Sequence, residues 1–355
     1  MKSHNLAIQI GIDSEKMHIF SLMLTYMQKP LLFGCLIFTF LSGCLETQSS
    51  KGQDSPPLTQ PVVEPQEEDP NQVTSLLGTA LPEKALPAKV KQRRQAQLDE
   101  ARQKYERTPD SLENIIWYGR RLAYLGRYNE AIHLYSVGLD LFPDSYRLLR
   151  HRGHRYITVR KFGEAIEDLQ RAAFYARPAA NAIEKDGLPN RLNKPLSNTK
   201  FNIWYHLGVA YYLKGNYDKA ISAFKKCMTF ANNDDLMVAT TNWFHLTYRK
   251  IGNQEAADQL LQKIHRRMDI IENYSYHQQL LLFKGVYTDK TLLERAEQEN
   301  NALNPTLSYG IASWHIFNGN IPEGKNILER ILLSPNWDSF GYIAAEADML
   351  SLSNL

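Results

Sequence analysis

Residues 204–224 read WYHLGVAYYLKGNYDKAISAF, and the placing of large and small side chains in this stretch decides the fold. Trp204, Leu207 and Tyr211 recur at helical spacing around Gly208, and past Gly215 a second set follows with Tyr217, Ala220 and Phe224. Two crossing helices need small residues where their backbones come close and large ones where side chains fill the gap between them. Gly208 and Ala220 meet the first need; Trp204, Tyr211 and Phe224 meet the second.

Outward from this pair the pattern returns with a fixed period. Thr108-Pro109-Asp110-Ser111 recurs as Phe142-Pro143-Asp144-Ser145, a shift of 34 residues, with Pro ending one helix and Asp or Ser placed to cap the next. Residues 112–145 supply Gly119, Gly126, Tyr128, Ala131, Tyr135 and Pro143, and residues 146–179 supply Gly153, Tyr156, Phe162, Ala165 and Ala172. Residues 238–271 keep Tyr248, Gly252, Ala257 and Leu261; residues 305–338 keep Gly319, Gly324, Leu328 and Ile331 in phase. Helix pairs with this period and these residues resemble the tetratricopeptide repeat (TPR) family. The resemblance implies an all-α fold, helix-turn-helix units stacked into a right-handed superhelical solenoid.

The expected organisation is an N-terminal capping helix within 86–111, repeats one and two over 112–179, an insertion at 180–200 and repeats three and four over 201–271. A cryptic helix pair (272–304), a repeat-like pair (305–338) and a C-terminal capping helix (339–355) follow. The cryptic pair is read from YSYHQQLLLFKG, a link at Thr288-Asp289, and a helix through Leu292, Leu293 and Ala296. Caps are expected because the end faces of a solenoid are otherwise bare. The insertion, within which AIEKDGLPNRLNKPLSNTK falls, is long for a loop in a compact array, and reads either as a functional loop or as a tolerated surface insertion. Together with RHRGHRYITVRKF and NIWYHLGVAYYLKGNYDKA it is similar to a group of bacterial TPR proteins with no assigned reaction, over most of Asp110 to Tyr287.

From Met27 the chain reads MQKPLLFGCLIFTFLSGC: one lysine, about eleven apolar or small residues from Leu31 to Leu41, then small residues. That is the order of a secretory signal, too short to span a bilayer, so 1–43 is expected to be a signal peptide starting at Met23 or Met27. Leu41-Ser42-Gly43-Cys44 resembles a bacterial lipobox, which implies lipid on the Cys44 thiol and an acylated new N-terminus. Cys35 also follows Leu-Phe-Gly, but too few apolar residues precede it. Residues 44–85 carry Pro56, Pro57, Pro61, Pro65, Pro70 and Pro82 with few large apolar side chains, and read as a disordered tether. Leu45 after the cysteine, where Asp would hold a lipoprotein at the inner membrane, implies an outer-membrane lipoprotein facing the periplasm.

With 41 basic and 38 acidic residues the formal charge is +3, far from the excess that nucleic acid as main ligand would ask for, so no nucleic-acid partner is expected. Three cysteines, Cys35, Cys44 and Cys227, are too few and too scattered for a disulfide framework or a zinc site. Cys227 falls where a repeat wants a small buried residue. No GxSxG, HExxH, Walker loop or GxGxxG is present to seed an active site, and neither catalysis nor a cofactor is expected. His151 and His154 lie one helical turn apart, but no carboxylate or cysteine nearby completes a metal site, and packing or peptide contact is the preferred role.

In the TPR family the first helices of successive repeats line a concave groove, and carrying its positions over gives a basic end, with Arg120, Tyr124, Arg147, Arg150 and His154, and an aromatic middle, with Asn202, Tyr205, Val209 and Tyr212. Arg and Tyr are suited to anchor a peptide, through carboxylate contacts and rigid apolar area. Chaperone-binding TPR domains clamp a C-terminal carboxylate with Lys and Asn at places held here by Ile116 and Arg120, so that clamp is not reproduced. The run LLLFKGVYTDKTLLERAEQENN followed by the Gly319 repeat is similar to outer-membrane TPR lipoproteins that act as adaptors for envelope enzymes. It implies a membrane-anchored scaffold that binds envelope proteins or peptides in its groove. Two rivals stand beside it: glycan capture, as in starch-utilisation lipoproteins with TPR helices behind a lipobox, and a pilotin that escorts an outer-membrane protein.

Overall fold

The computed structural model describes residues 71–353, all within the unit Pro65–Leu355. The expectations for 1–43, for Cys44 and for the first part of the tether lie outside the described residues. Among the described residues the chain is helical: α1 (Ala88–Arg107), α2 (Leu112–Tyr124), α3 (Tyr128–Leu141), α4 (Tyr146–Thr158), α5 (Phe162–Tyr175), α6 (Thr199–Leu213) and α7 (Tyr217–Met228). Then come α8 (Asp234–Lys250), α9 (Gln254–Leu261), α10 (Tyr274–Phe283), α11 (Asp289–Ala296), α12 (Pro305–Phe317), α13 (Ile321–Ile331) and α14 (Phe340–Leu352). From α2 to α9 they stack as successive pairs, α10 and α11 each pack on α12 rather than on one another, and α12 pairs with α13; a large apolar core runs through this all-α solenoid, with a smaller cluster around Val238, Ile264 and Leu280 beside it.

Local chemistry sets the helix starts. Ser111 and Ser145, one period apart, accept from the backbone N–H of Asn114 and Leu148, and Asn198, Asn216, Asn233, Asn253, Asn304 and Asn320 do the same for later helices. Each such cap stabilises by about 1 kcal/mol. Within a pair, the ring of one helix rests on the bare backbone of the other: a Cβ at Gly208 would collide with Phe224, and one at Gly119 with Tyr135. The turn inside a pair runs through the left-handed region, with φ +87° at Gly126 and +76° at Gly215. One period after Gly126 stands Arg160, at φ 63° without the freedom of glycine.

Arg160 is kept there by its side chain. It is buried, and its Nε and Nη2 donate to Glu346 of α14 at 3.0 and 2.6 Å, while Nη2 also reaches the Trp337 carbonyl. Helix α14 therefore does more than cover an end, which is all that the sequence reading of 339–355 as a capping helix expected. Its Phe340 ring packs among His154, Tyr205, His206 and Trp243 on the inner side of the array.

The segment from Asn71 to Lys84 corrects the disordered-tether reading of 44–85 over its last part, from residue 71 on. Val73 and Leu81 are buried, and Leu81 N–H donates to the Val73 carbonyl at 2.8 Å across a turn at Gly78. Leu76 N–H donates to Glu346 at 3.1 Å, the Trp337 indole donates to the Pro82 carbonyl at 2.9 Å, and Lys84 pairs with Asp338, which also accepts from Tyr128 at 2.7 Å. Bonds within the strap, bonds to Glu130 of the first repeat and bonds to Trp337, Asp338 and Glu346 at the C-terminal end of the array together order it.

Candidate functional site: the inner surface

The chain's own segments lie over most of the side chains assigned to the groove. Tyr212 meets Tyr309 of α12, hydroxyl to hydroxyl at 2.6 Å. Tyr205 accepts from the Trp243 indole at 3.0 Å and stands 3.3 Å from the Tyr276 hydroxyl. Both tyrosines are buried, and Val209 is fully so. The aromatic middle of the expected groove is thus part of the core, and its assignment as a peptide contact does not hold for these residues. The reason is cover by Trp243 of α8, Tyr276 of α10, Tyr309 of α12 and Phe340 of α14.

The basic end is different. Arg147 is 39% exposed and pairs with Glu113 at 2.7 Å. Arg120 lies over the Trp117 ring, 4.4 Å from its centroid, and its Nε donates to the Tyr124 hydroxyl at 3.2 Å. Arg150 is 8% exposed: Nη1 meets His151 Nδ1 at 2.8 Å, Nη2 lies 3.0 Å from Glu184, and Nε has no partner. His154 lies against His206, 4.1 Å between ring centroids with the rings tilted by 37°. Burial first, and the neighbouring arginines second, hold His151, His154 and His206 well below the ordinary histidine value, so all three are neutral at pH 7 and the positive charge is arginine's. Beside Arg147 and Arg150 opens a cavity of about 440 Å³, walled by Trp117, Arg120, Ile183 and Glu184. A smaller one of about 120 Å³ lies deeper, against Tyr135, His154 and Arg155.

The insertion supplies what lies in this basic end. Glu184 Oε2 accepts from Asn202 Nδ2 at 2.9 Å, Arg120 Nη2 donates to the Lys185 carbonyl at 2.9 Å, and Gly187 packs on Tyr124 so closely that a Cβ would collide with it. Asn202 is consequently buried, and faces the loop rather than an open groove. Sequence reasoning missed Glu184 as a member of the site and Arg155 as part of its wall. The one available signal was the acid in AIEKDGLPN opposite a groove mapped as basic.

Residues 201–234 match the family model of the tetratricopeptide repeat. The BBSome complex member BBS4 of Bos taurus is 24% identical over 150 residues, 42% of this chain and 24% of that protein, so the chain spans about a quarter of the length of this curated relative. Among solved structures, MamA from Desulfovibrio magneticus RS-1 aligns at 18% identity with a TM-score of 0.38, over 49% of this chain and 89% of that one. YrrB, described as a TPR protein with an unusual peptide-binding site, aligns at 12% identity with a TM-score of 0.36, over 72% of this chain and 98% of that one. The chain is a helical-repeat protein that carries a tetratricopeptide repeat.

Proposed function

We propose that this chain is a protein-interaction scaffold, held at the membrane by lipid on Cys44, which takes a segment of an envelope protein at the basic end of its inner surface. The observation that carries the reading is the convergence of Arg120, Arg147 and Arg150, from two successive repeats, on one cavity with room beside them. Arginine forks held by neighbouring side chains lose little freedom on meeting a carboxylate, which suits recognition more than bulk stability. The lipobox-like Leu41-Ser42-Gly43-Cys44 and the residue Leu45 support an outer-membrane lipoprotein facing the periplasm, acting as an adaptor. No catalytic step is part of the proposal.

The test is affinity capture by the full chain from detergent-solubilised envelopes, beside Arg147→Glu, chosen because Arg147 is half-exposed and outside the core. A protein partner recovered by the parent and lost with Arg147→Glu is the expected result. Equal recovery with both, or a glycan bound with no protein partner, overturns the reading. Mass spectrometry of the mature N-terminus tests the anchor, since Cys44→Ser should abolish acylation.

A further inference from the structure

The way the insertion sits in the basic end is how a peptide ligand would sit there. Three helices hold one stretch of chain. Arg150 on α4 and Asn202 on α6 take the Glu184 carboxylate, at 3.0 Å to Oε1 and 2.9 Å to Oε2. Arg120 and Arg121 on α2 take main-chain carbonyls, those of Lys185 and Gly187, each at 2.9 Å. Carbonyl contacts of this kind read any polypeptide, and the one side chain that is read is an acid.

We propose that residues 182–187 are an intrasteric plug, and that the ligand of the basic end is an acidic peptide segment whose carboxylate replaces that of Glu184 between Arg150 and Asn202. This rests on the scaffold reading above and adds to it the ligand's chemistry and its regulation. A free phosphate would satisfy Arg150 but leave the carbonyl-reading Arg120 and Arg121 without partners, which favours a polypeptide.

The plug is built to leave. Ile183, the one large apolar side chain of the plug, is 68% exposed, and the buried Leu196 lies on the far side of the loop, so the plug is not held by apolar burial and a ligand can replace its polar contacts one for one. Asp186 is held poorly: its Oδ2 is buried without a partner, and burial together with Glu272 and Glu184 raises its carboxyl above the ordinary value. The site, for its part, has capacity to spare. Arg150 is more than nine-tenths buried, yet its Nε is unpartnered beside the Glu184 carboxylate, and Arg155 lines the deeper cavity on the same side. Main-chain bonds tie the plug only at its start: Thr199 N–H donates to the Ala182 carbonyl at 3.0 Å, where the loop leads into α6, and Glu184 N–H donates to the Ser197 carbonyl at 2.9 Å, a bond that is released when the plug leaves.

The probe is a fluorescein-labelled peptide with the sequence of residues 182–188, AIEKDGL, and a second in which its Glu is Gln, read by anisotropy against the full chain and Glu184→Gln. The acidic peptide should bind Glu184→Gln about tenfold more tightly than the parent, the worth of one charge-assisted hydrogen bond; the Gln peptide should bind neither. Amidating the C-terminus should change nothing, and loss of binding on amidation would overturn the assignment to a side-chain acid. Equal affinity of parent and variant overturns the plug and leaves the scaffold standing. Binding to neither, with envelope capture still sensitive to Arg147→Glu, overturns the acidic ligand alone. Should Glu184→Gln fold poorly, hydrogen exchange on the parent decides: saturating acidic peptide must speed exchange at Glu184, and unchanged protection refutes the proposal.

Discussion

Replacing Glu346 by Ala probes the join between the two ends of the array. Glu346 is fully buried, and its carboxylate accepts two bonds from Arg160 and one from the Leu76 N–H of the strap. Truncating it leaves the Arg160 guanidinium buried without its counter-charge, a change that costs about 3–5 kcal/mol when one partner of a buried pair is removed. At roughly 2–4 °C per kcal/mol for a domain near this size, the thermal midpoint should fall by about 6–20 °C. Removing both partners together should cost much less, because no charge is then stranded: Arg160→Met with Glu346→Leu is expected within about 2 kcal/mol of the parent. The assay is thermal denaturation followed by circular dichroism, with hydrogen exchange at Leu76 and Leu81 to report the strap. A midpoint for Glu346→Ala within 2 °C or so of the parent, or additive losses in the double variant, would refute the account.

Gly208→Ala should destabilise by about 1–3 kcal/mol, since its methyl meets the Phe224 ring, whereas Gly163→Ala, which meets only the end of Lys214 at 3.7 Å, should be neutral or stabilising; denaturant titration checks both. Acid should unfold the protein early. His151, His154 and His206 lie well below the ordinary value, and His245, buried against Phe283 and near Arg249, is pushed down to about 3. A depressed histidine contributes stability that is full above pH 6.5 and is lost as pH falls towards its folded value, at up to about 1.4 kcal/mol per pH unit for each group. Denaturation midpoints from pH 7 to 5 should therefore drop steeply, and His245→Phe should flatten the slope by one group's share. Cys227, its thiol pushed up to about 12 by burial, should resist iodoacetamide at pH 8 in the folded chain and react once unfolded, with peptide mass mapping as the readout.

Much of the fold was legible because it is local. The caps at Ser111 and Ser145, the small sites at Gly119 and Gly208, and the rings that rest on them all sit within one period of each other, where residue spacing alone places the contact. What covers the inner surface was not legible, because those contacts join distant segments: Glu184 to Arg150, Phe340 to His154, Leu76 to Glu346. Two signals were nonetheless present. The helix FGYIAAEADMLSL is apolar on nearly every side and carries Glu346 and Asp348 into the interior, the mark of an enclosed helix rather than a cap with a wet face. Arg160 stands one period after Gly126, where a left-handed turn calls for glycine, and a bulky residue there points to a side chain held by something else.

A solenoid whose units touch only their neighbours tolerates gain or loss of a unit, since each added pair makes the same contacts as the last. The Arg160–Glu346 join takes that freedom away here. Each helix pair between them contributes a fixed rotation and rise, and only one number of pairs brings Glu346 back to Arg160 and Leu76 at bonding distance. Duplicating or deleting a pair between α6 and α13 would carry the two partners past each other and leave both charges without their counterpart. The strap makes the chain's copy number of helix pairs a structural constant, in a class of fold where it is ordinarily a variable.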